Sequence, residues 1–267
     1  MLVAAKAGAA EGTWLRAERQ SAGRGRLGRA WMSPAGNLYA STLVRLRATD
    51  PQAATLALVA GVAVEEAVSV FIAAASAPED FLRHPGPVPG SSARQATRSE
   101  TSSASPAEPW TPEQVRGDGR NNGGVTLKWP NDLLLNGEKL SGILLERADH
   151  AVIIGIGANL AHHPDLPDRP ATSLAAHGVD VTPAAFLDTL VETFARWLAR
   201  WRGEGLAPIR TRWLERAHPV GTALTARLPD GSALNGLFDG LDGDGALILR
   251  LGGGERRVIH AADVFLL

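Results

Sequence analysis

The first third of the chain combines short β-like segments with one long apolar run. Residues 13–19 partly alternate between polar and apolar side chains, and this predicts a strand. Residues 37–47 are rich in β-forming residues and predict a second strand. Asp50 and Pro51 then suit the N-cap and the first turn of a helix. The alanine- and valine-rich run that follows, to about Ala75, predicts that this helix is buried.

Residues 76–124 differ sharply from the rest of the chain in composition. Pro, Gly, Ser, Ala, Thr and Arg dominate, and large aliphatic residues are nearly absent. Such a segment has too little apolar surface to offset the entropy that ordering would cost. We therefore expect a low-complexity, flexible insertion, and we favour a tolerated surface insertion over a specific binding segment.

The apolar pattern returns after this insertion in strand-length segments. Residues 125–129 and 132–135 predict short strands, and Asn136-Gly137 is a strong hairpin signal that leads into a return strand at 140–146. Residues 151–160 are apolar at nearly every position, which is typical of a central strand buried on both faces.

The C-terminal third predicts one amphipathic helix and then a small β module. Thr182 and Pro183 suit the start of the helix. We interpret a stripe of apolar side chains along it as core rather than as a ligand-stacking surface: Phe186, Leu190, Phe194, Trp197, Leu198 and Trp201. From about His218, short strands alternate with Gly- and Asp-rich turns, as in a small barrel or sandwich. The whole pattern predicts an α+β core followed by an all-β module.

Composition limits the classes of function. Lys and Arg number 27 against 28 Asp and Glu, and this balance argues against a general nucleic-acid-binding surface. The chain has no cysteine, which excludes disulfides, zinc–thiolate sites and cysteine nucleophiles. The apolar stretch Ala53–Val64 is too short to span a bilayer, and residues 1–10 lack the apolar core of a signal peptide. We expect a cytoplasmic protein that binds neither nucleic acid nor membrane.

Residues 23–29 read Gly-Arg-Gly-Arg-Leu-Gly-Arg and precede Trp31. Guanidinium groups bind phosphate or carboxylate bidentately and stay charged, and glycines allow the backbone to approach such a ligand closely. The run predicts a lid that wraps around an anion. It also matches the dinucleotide fingerprint Gly-x-Gly-x-x-Gly, but that fingerprint requires a helix directly after the last glycine. Pro34 and Gly36 make such a helix unfavourable, so we reject this interpretation.

Two further polar clusters lie beside predicted core strands. Lys128-Trp129-Pro130-Asn131-Asp132 joins two apolar segments, so its polar groups must find partners next to the core. Taken alone, Asn131 and Asp132 would be turn-forming residues after Pro130. Lys139 stands where the predicted hairpin re-enters the sheet and, taken alone, would be a solvated charge.

In combination, these motifs resemble the biotin–protein ligase family. The glycine–arginine loop ends in Trp31, Lys-Trp-Pro-Asn-Asp is intact at 128–132, Lys-Leu-Ser-Gly-Ile-Leu stands at 139–144, and a glycine-rich strand ends in Asn159. The resemblance runs from about residue 11 to the C terminus and is interrupted by the insertion. It matches the monofunctional type without a DNA-binding domain.

The resemblance implies a fold and a reaction. The fold is a mixed-sheet catalytic core with flanking helices, like that of class II synthetases, at 1–217, and an SH3-like β-barrel at 218–267. The enzyme would use ATP to convert biotin to biotinyl-5′-AMP and then transfer biotin to a lysine of a biotin carboxyl carrier domain. Mg²⁺ is expected with the ATP phosphates. The glycine–arginine loop would close over the adenylate and exclude water. We expect a monomer or a weak homodimer.

Carried over residue by residue, the resemblance assigns catalysis to Lys139, Arg24 and Arg26, because preorganised cations stabilise the charge that develops on oxygen. Asp132 is the candidate Mg²⁺ contact. The biotin- and adenylate-binding set is larger and comprises Gln20, Gly23, Arg24, Gly25, Arg26, Trp31, Lys128, Asn131, Lys139, Gly142, Gly155, Gly157 and Asn159.

The chain departs from the family pattern in two places. Relatives usually have a Ser-Thr pair on a strand before the first helix, whereas residues 1–12 contain neither residue type. Either the start was assigned too far downstream, or the enzyme works without that wall of the biotin site. Leu27 replaces a residue that is often basic in relatives.

Alternative functions follow from the same residues. One is a lipoate or other acyl-carrier ligase of similar fold, and another is a sensor that binds biotin or an adenylate without transfer. Because no residues are left over for a winged helix-turn-helix domain, we expect no operator binding.

Overall fold

The computed structural model describes residues 1–29, 31–77, 124–165 and 170–267. The predicted insertion at 76–124 therefore lies almost entirely outside the described residues. An antiparallel sheet with the strand order β1-β2-β6-β5-β4-β3 carries the fold. Its strands are β1 (Trp14–Ala17), β2 (Leu38–Arg45), β3 (Val125–Lys128), β4 (Asp132–Leu135), β5 (Glu138–Ala148) and β6 (Ala151–Ala158).

The hairpin predicted at Asn136-Gly137 is confirmed. The φ angles of Asn136 and Gly137 are 52° and 86°, so both turn residues adopt the left-handed conformation that a tight two-residue hairpin requires. The turn connects β4 to β5, and a β-bulge between Leu133 and Leu134 shifts the register of this pair. Parallel pairing in the described part of the chain is limited to isolated bridges, at Leu127–Ala217 and Lys139–Ala171.

The helices are α1 (Leu2–Lys6), α2 (Leu56–Ala75), α3 (Pro183–Glu204) and α4 (Ala207–Glu215), of which α2 and α3 follow the sequence pattern. Helix α2, with α3 and α4 packed against it, covers one face of the sheet. The short helix α1 packs on the other face, against Leu43, Ala148, Ala151 and Ile153. Thr182 caps α3 as predicted, because its side-chain oxygen accepts a hydrogen bond from the backbone N–H of Ala185 at 3.2 Å.

The prediction that Asp50 caps α2 is wrong. The Asp50 carboxylate instead accepts a hydrogen bond from the backbone N–H of Arg47 at 3.0 Å and pairs with Arg202 at 3.3 Å. The helix begins through a 3₁₀ turn at Ala53–Thr55, after which α2 starts at Leu56. The stronger charged partner of Asp50 lies on α3 and is not visible from the local sequence.

The core lies between the sheet and the pair α2 and α3. Phe186 is fully buried and stacks on Phe71 with their ring centroids 5.6 Å apart, and the indole N–H of the buried Trp201 donates to Thr55 Oγ1 at 2.8 Å. The stripe predicted along α3 is buried at every position except Leu198, which is half-buried. These aromatic residues therefore belong to the core, as predicted.

The apolar helical segment that contains α2 is longer than the stretch Ala53–Val64, which the sequence pattern predicts to be too short to span a bilayer. The helical segment Ala53–Ala75 has 23 residues and a mean hydropathy of 2.0, so by length and composition alone it could cross a membrane. Within the structure, 61% of its apolar window is buried, and the helix packs against α3. A core helix passes the same test of length and hydropathy, so this finding is weak evidence for a membrane span.

The C-terminal residues form a second antiparallel sheet with the strand order β10-β9-β8-β7-β11. Its strands are β7 (Ala223–Arg227), β8 (Ala233–Leu241), β9 (Leu247–Arg250), β10 (Arg256–Ile259) and β11 (Asp263–Leu266). This sheet shares its apolar core with the first, and the Trp129 indole donates to the carbonyl of Gly245 at 3.1 Å. The α+β class with a terminal β module is confirmed, whereas closure of the module into a barrel stays a prediction.

We predict that Phe186→Ala lowers the free energy of unfolding by about 3–5 kcal/mol, because truncation leaves a cavity between α2 and α3. Urea denaturation measures this loss. Glu192→Ala, at an exposed position of the same helix, is the control and should change the free energy by less than about 0.5 kcal/mol. Equal stability of the two variants would contradict this account of the core.

Candidate active site

A groove of about 830 Å³ lies on the sheet face opposite the core helices. Successive residues of a strand point to opposite faces of a sheet. On β5, Ile143 is buried toward α2, so its neighbours Gly142 and Leu144 face the groove. The register places Gly142 beside Gly157, and Leu144 beside Gly155. Small residues on two adjacent strands thus leave space above the middle of the sheet.

The glycines of this floor have different neighbours. A Cβ atom on Gly157 would lie 3.0 Å from the Trp31 ring, and one on Gly142 would lie 3.3 Å from both Trp31 and Lys139 Nζ. A Cβ on Gly155 would meet only ordinary contacts, the nearest being 3.7 Å from a carbonyl oxygen of Leu144. Gly142 and Gly157 therefore admit the Trp31 ring, whereas Gly155 leaves open space in the groove.

The glycine–arginine loop crosses one side of the groove. Its base is closed by backbone hydrogen bonds from Trp31 N to the carbonyl of Gly23 at 2.9 Å and from Gly25 N to the carbonyl of Arg29 at 2.7 Å. Gly23 packs against this base, since a Cβ there would lie 2.5 Å from the carbonyl oxygen of Trp31. The tip is a 3₁₀ turn at Arg26–Gly28. The glycines thus let the loop fold back on itself.

Lys128, Asp132 and Lys139 form a charged cluster at the hairpin end of the groove. Lys139 Nζ donates to Asp132 Oδ1 at 2.5 Å, and Lys128 Nζ lies 3.6 Å from Asp132 Oδ2. Lys139 Nζ also lies 5.5 Å from the centroid of the Trp31 ring, within the range of a cation–π contact. One carboxylate therefore separates two ammonium groups that face the same cavity.

Arg26 and Arg29 extend from the loop to the last strand. Arg26 Nη1 donates to the carbonyl of Ala262 at 3.1 Å and lies 3.5 Å from Asp263 Oδ1, while Arg29 Nη2 donates to Asp263 Oδ2. Burial lowers the pKa of Arg26, and the negative charge of Asp132 opposes that shift. Arg26 thus contacts the carboxylate of Asp263 and also feels the negative charge of Asp132.

The side chains of Asn131 and Asn159 bind backbone. Asn131 Nδ2 donates to the carbonyl of Ile143 at 2.6 Å, and the Ile143 N–H donates to the carbonyl of Asn131 at 3.0 Å. Asn159 Nδ2 donates to the carbonyl of Thr172 at 3.0 Å, while the Thr172 N–H donates to the carbonyl of Lys139 at 3.0 Å. Asn159 thus fixes the backbone around Lys139, Asn131 fixes that of Ile143 on the same strand, and both residues line the groove.

The structure brings nearly all of the predicted site residues to this groove. The residues that line it are Gln20, Arg24, Gly25, Arg26, Trp31, Lys128, Asn131, Asp132, Lys139, Gly142, Gly155, Gly157 and Asn159. Gly23 does not line it and instead packs against the loop base. Lining residues that the sequence did not predict include Arg29, Tyr39, Ser41, Glu146 and Asp263. Arg29 lies within the recognised loop, but the strand of Asp263 carries no local signal that connects it to the loop.

The donor atoms do not form a protein-only magnesium site. In the described part of the chain, no group of three or more His, Asp or Glu residues could hold a metal ion. Asp132 has an ammonium group next to each carboxylate oxygen. Mg²⁺ commonly uses one or two carboxylates together with substrate phosphates. Asp132 as a Mg²⁺ contact therefore stays a prediction.

Two family models match the chain. The model described as the biotin/lipoate A/B protein ligase family matches residues 7–159, and the model described as the biotin protein ligase C-terminal domain matches residues 221–267.

Curated relatives match along most of the chain. The chain is 36% identical to a biotin–[acetyl-CoA-carboxylase] ligase of Paracoccus denitrificans, covering 94% of this chain and 89% of the relative. It is 31% identical to a ligase of the same name from Mycobacterium tuberculosis, covering 95% and 79%. It is 30% identical to the bifunctional ligase/repressor BirA of Bacillus subtilis, covering 96% of this chain but only 66% of that protein.

The fold is similar to that of solved structures. The biotin protein ligase from Aquifex aeolicus in complex with biotin and ATP superposes with a TM-score of 0.69 at 22% identity, covering 97% of this chain and 90% of that one.

His218 is a titratable group next to the charged cluster that the sequence did not single out. It follows Ala217, which pairs with Leu127 in an isolated bridge, and its Nε2 atom is buried with no hydrogen-bond partner in the described part of the protein. Burial, reinforced by the positive charge of Lys128, lowers the pKa of His218 to about 4. The imidazole is therefore neutral in the folded protein at neutral pH.

We predict that this histidine makes stability depend on pH. Between pH 4 and about 6.5, the unfolded chain protonates His218 but the folded chain does not, so stability is present above that window and falls as pH decreases through it. Allowing for partial exposure, His218→Gln should remove about 1–2 kcal/mol of the stability difference between pH 7 and pH 4.5. Urea denaturation at both pH values measures it, and an unchanged difference in the variant would contradict the prediction.

Proposed function

The chain belongs to the biotin/lipoate A/B protein ligase family, and from this premise we propose how its groove acts as a biotin ligase. The enzyme converts biotin and ATP to biotinyl-5′-AMP and then transfers biotin to a lysine of a biotin carboxyl carrier domain. The observation that carries the proposal is the convergence of Arg26, Lys128 and Lys139 on one cavity with a glycine-lined floor.

In the first step, two anions must meet. A biotin carboxylate oxygen attacks the α-phosphorus of ATP, an O–P bond forms, and the bond to the leaving pyrophosphate breaks. The ammonium of Lys139 and the guanidinium of Arg26 reduce the repulsion between the carboxylate and the phosphate. Because both groups are already held at the groove, they require little reorganisation during the reaction.

In the second step, the neutral amine of the acceptor lysine attacks the acyl carbon of the adenylate. A C–N bond forms, the C–O bond to AMP breaks, and the proton that the amine loses passes to solvent water. Negative charge moves to the phosphate of the departing AMP, next to Lys128 and Lys139. The glycine–arginine loop keeps water away from the acyl phosphate between the two steps.

Magnesium enters this scheme with ATP. The ion would neutralise charge on the nucleotide phosphates, with Asp132 as its candidate protein contact. When phosphate oxygens approach the lysines, an Asp132 oxygen becomes available for other partners.

We also propose how the two parts of the chain divide the work and where the protein acts. Residues 1–217 would carry the ligase chemistry, and residues 218–267 would form a module that contributes one wall of the groove. We propose that the protein works in the cytoplasm as a monomer or a weak homodimer. Neither nucleic acid nor a membrane is required by the proposed reaction.

The match of the C-terminal residues and the names of the relatives favour biotin over lipoate as the substrate. The family model for the first part of the chain includes both kinds of ligase, but the C-terminal match is to a domain described for biotin protein ligases. Relatives that match along most of the chain are named as biotin ligases.

The test is a transfer assay with purified protein, MgATP and a biotin carboxyl carrier domain. We predict that biotin, but not lipoate, is joined to the carrier lysine, which mass spectrometry of the carrier detects. Transfer of lipoate in preference to biotin would replace the proposal with the lipoate ligase. Binding of biotin without transfer would select the sensor.

We predict that Lys139→Ala lowers the rate of adenylation by about 100-fold, since a cation held at the developing negative charge is lost. Pyrophosphate release in the presence of biotin and ATP measures the rate. Lys6→Ala, at an exposed position of α1, is the control and should keep the wild-type rate. A rate within about twofold of wild type for Lys139→Ala would remove Lys139 from the proposed mechanism.

A further inference from the structure

Trp129 belongs to the apolar core, although its neighbour Lys128 lies in the groove. Trp129 is 6% exposed, whereas the ammonium of Lys128 pairs with Asp132 in the charged cluster. A buried indole N–H needs an acceptor, because an unpaired polar group in the core is costly. Here the acceptor is the carbonyl of Gly245, which lies 116 positions later in the chain, in the turn between β8 and β9.

The turn that supplies this acceptor is closed by its own hydrogen bonds. Asp242 Oδ1 accepts from the backbone N–H groups of Asp244 at 2.9 Å and of Ala246 at 2.8 Å. The φ angle of Gly245 is 83°, and a Cβ atom there would lie 2.8 Å from Leu58 Cδ1 on α2. The turn thus packs closely against α2 and presents the Gly245 carbonyl in a defined place.

A second contact from the C-terminal part of the chain holds the same strand. Strand β3 is an edge strand of the first sheet, and residues 216–217 lie along its outer side. The Leu127 N–H donates to the carbonyl of Arg216 at 2.7 Å, and Leu127 forms the isolated bridge with Ala217. Arg216 in turn pairs with the fully buried Glu65 of α2 at 3.3 Å. The strand that carries Lys128 is therefore fastened on the side away from β4.

The turn after β3 connects the two charges that face Lys139. Lys128 pairs in register with Asp132, and Asn131 between them binds the backbone of Ile143 on β5. These contacts hold the turn to its own sheet, whereas the bond from Trp129 holds its first residue to the second sheet. A displacement of Trp129 would carry Lys128 and Asp132 with it, since one precedes it directly and the other follows three positions later.

We propose that Trp129 is a positioning residue through which the C-terminal sheet sets the place of Lys128 and Asp132 in the groove. The bond to Gly245 holds the start of the turn, so that both charges stay where the nucleotide phosphates and Mg²⁺ would meet them. Trp129 takes no part in bond making and acts through these two neighbours. The inference deepens the proposed function and rests on it for the kinetic consequence, whereas the environment of Lys128 can be measured without catalysis.

The first experiment measures adenylation in Trp129→Phe, which keeps an aromatic ring but removes the N–H. Pyrophosphate release is followed while either MgATP or biotin is varied. The KM for MgATP should rise at least about fivefold, because the loss of a buried hydrogen bond displaces the cations and the carboxylate on the phosphate side. The KM for biotin should stay within about twofold of wild type, whereas a loss of folded protein alone would change neither KM.

The chain offers a matched control in another buried tryptophan. The indole N–H of Trp201 donates to Thr55 Oγ1 at 2.8 Å, and Trp201 lies on α3, away from the groove. Trp201→Phe removes a comparable buried hydrogen bond and should leave both KM values at the wild-type level.

The second experiment uses the scarcity of lysine and needs no substrate. The chain has lysine only at positions 6, 128 and 139. The folded protein is treated briefly with sulfo-NHS-acetate, and mass spectrometry compares acetylation of Lys128 with that of the exposed Lys6. A lysine paired with a carboxylate stays charged and reacts slowly, so Trp129→Phe should raise the acetylation of Lys128 relative to Lys6 at least about threefold. Trp201→Phe should not change this ratio.

Gly245→Ala tests the same contact from the acceptor side and leaves the indole in place. The added Cβ atom meets a positive φ angle and the Leu58 side chain, so the turn must shift. This variant should change the KM for MgATP and the labelling ratio in the same direction, and it replaces Trp129→Phe if that variant fails to fold.

A wild-type KM for MgATP in Trp129→Phe, an unchanged labelling ratio for Lys128, or equal changes in Trp201→Phe would each overturn the inference. Absence of adenylate formation in the wild-type protein would instead contradict the proposed function, and the labelling experiment would still decide whether Trp129 positions Lys128.

Discussion

The site depends on holding several positive charges in one groove before an anion arrives. Two unit charges 4 Å apart near a protein surface repel by about 4 kcal/mol. The structure meets this constraint with two carboxylates: Asp132 lies between Lys128 and Lys139, and Asp263 lies between Arg26 and Arg29. Each carboxylate supplies the counter-charge that a phosphate or carboxylate ligand can later provide. The groove is thus preorganised for anionic ligands.

The antiparallel sheet explains why the motifs occur at their particular spacings. The hairpin turn at Asn136-Gly137 brings Lys139 on β5 back beside Asp132 on β4, seven positions earlier. The pairing of β5 with β6 then places Gly142 next to Gly157 and makes room for the Trp31 ring. Distant segments become one surface because each lies on an adjacent strand. The amides of Asn131 and Asn159 hold these strand ends in place by binding backbone carbonyls.

Local patterns in the sequence predicted those parts of the fold that local forces determine. The hairpin at Asn136-Gly137, the cap at Thr182 and the buried stripe of α3 each rest on residues within a few positions of one another. Asp50 looked like a helix cap and instead pairs with Arg202, because a charged partner from a distant helix outweighs the local preference. Asp263 and His218 had no signal at all. Their roles arise from residues far away in the chain, Arg26 and Arg29 for Asp263 and Lys128 for His218, and a single sequence does not encode such contacts as a spacing.

The central claim is that the paired carboxylates reserve positions for the negative charges of the ligand. A crystal structure of the protein with a non-hydrolysable biotinyl-adenylate analogue tests it most directly. The account predicts that Lys139 Nζ forms a hydrogen bond with an oxygen of the linkage between biotin and the phosphate, and that Arg26 faces the phosphate while Arg29 still contacts Asp263. A ligand phosphate bound away from the cavity between Lys128, Lys139 and Arg26, with Lys139 still bound to Asp132 alone, would contradict it.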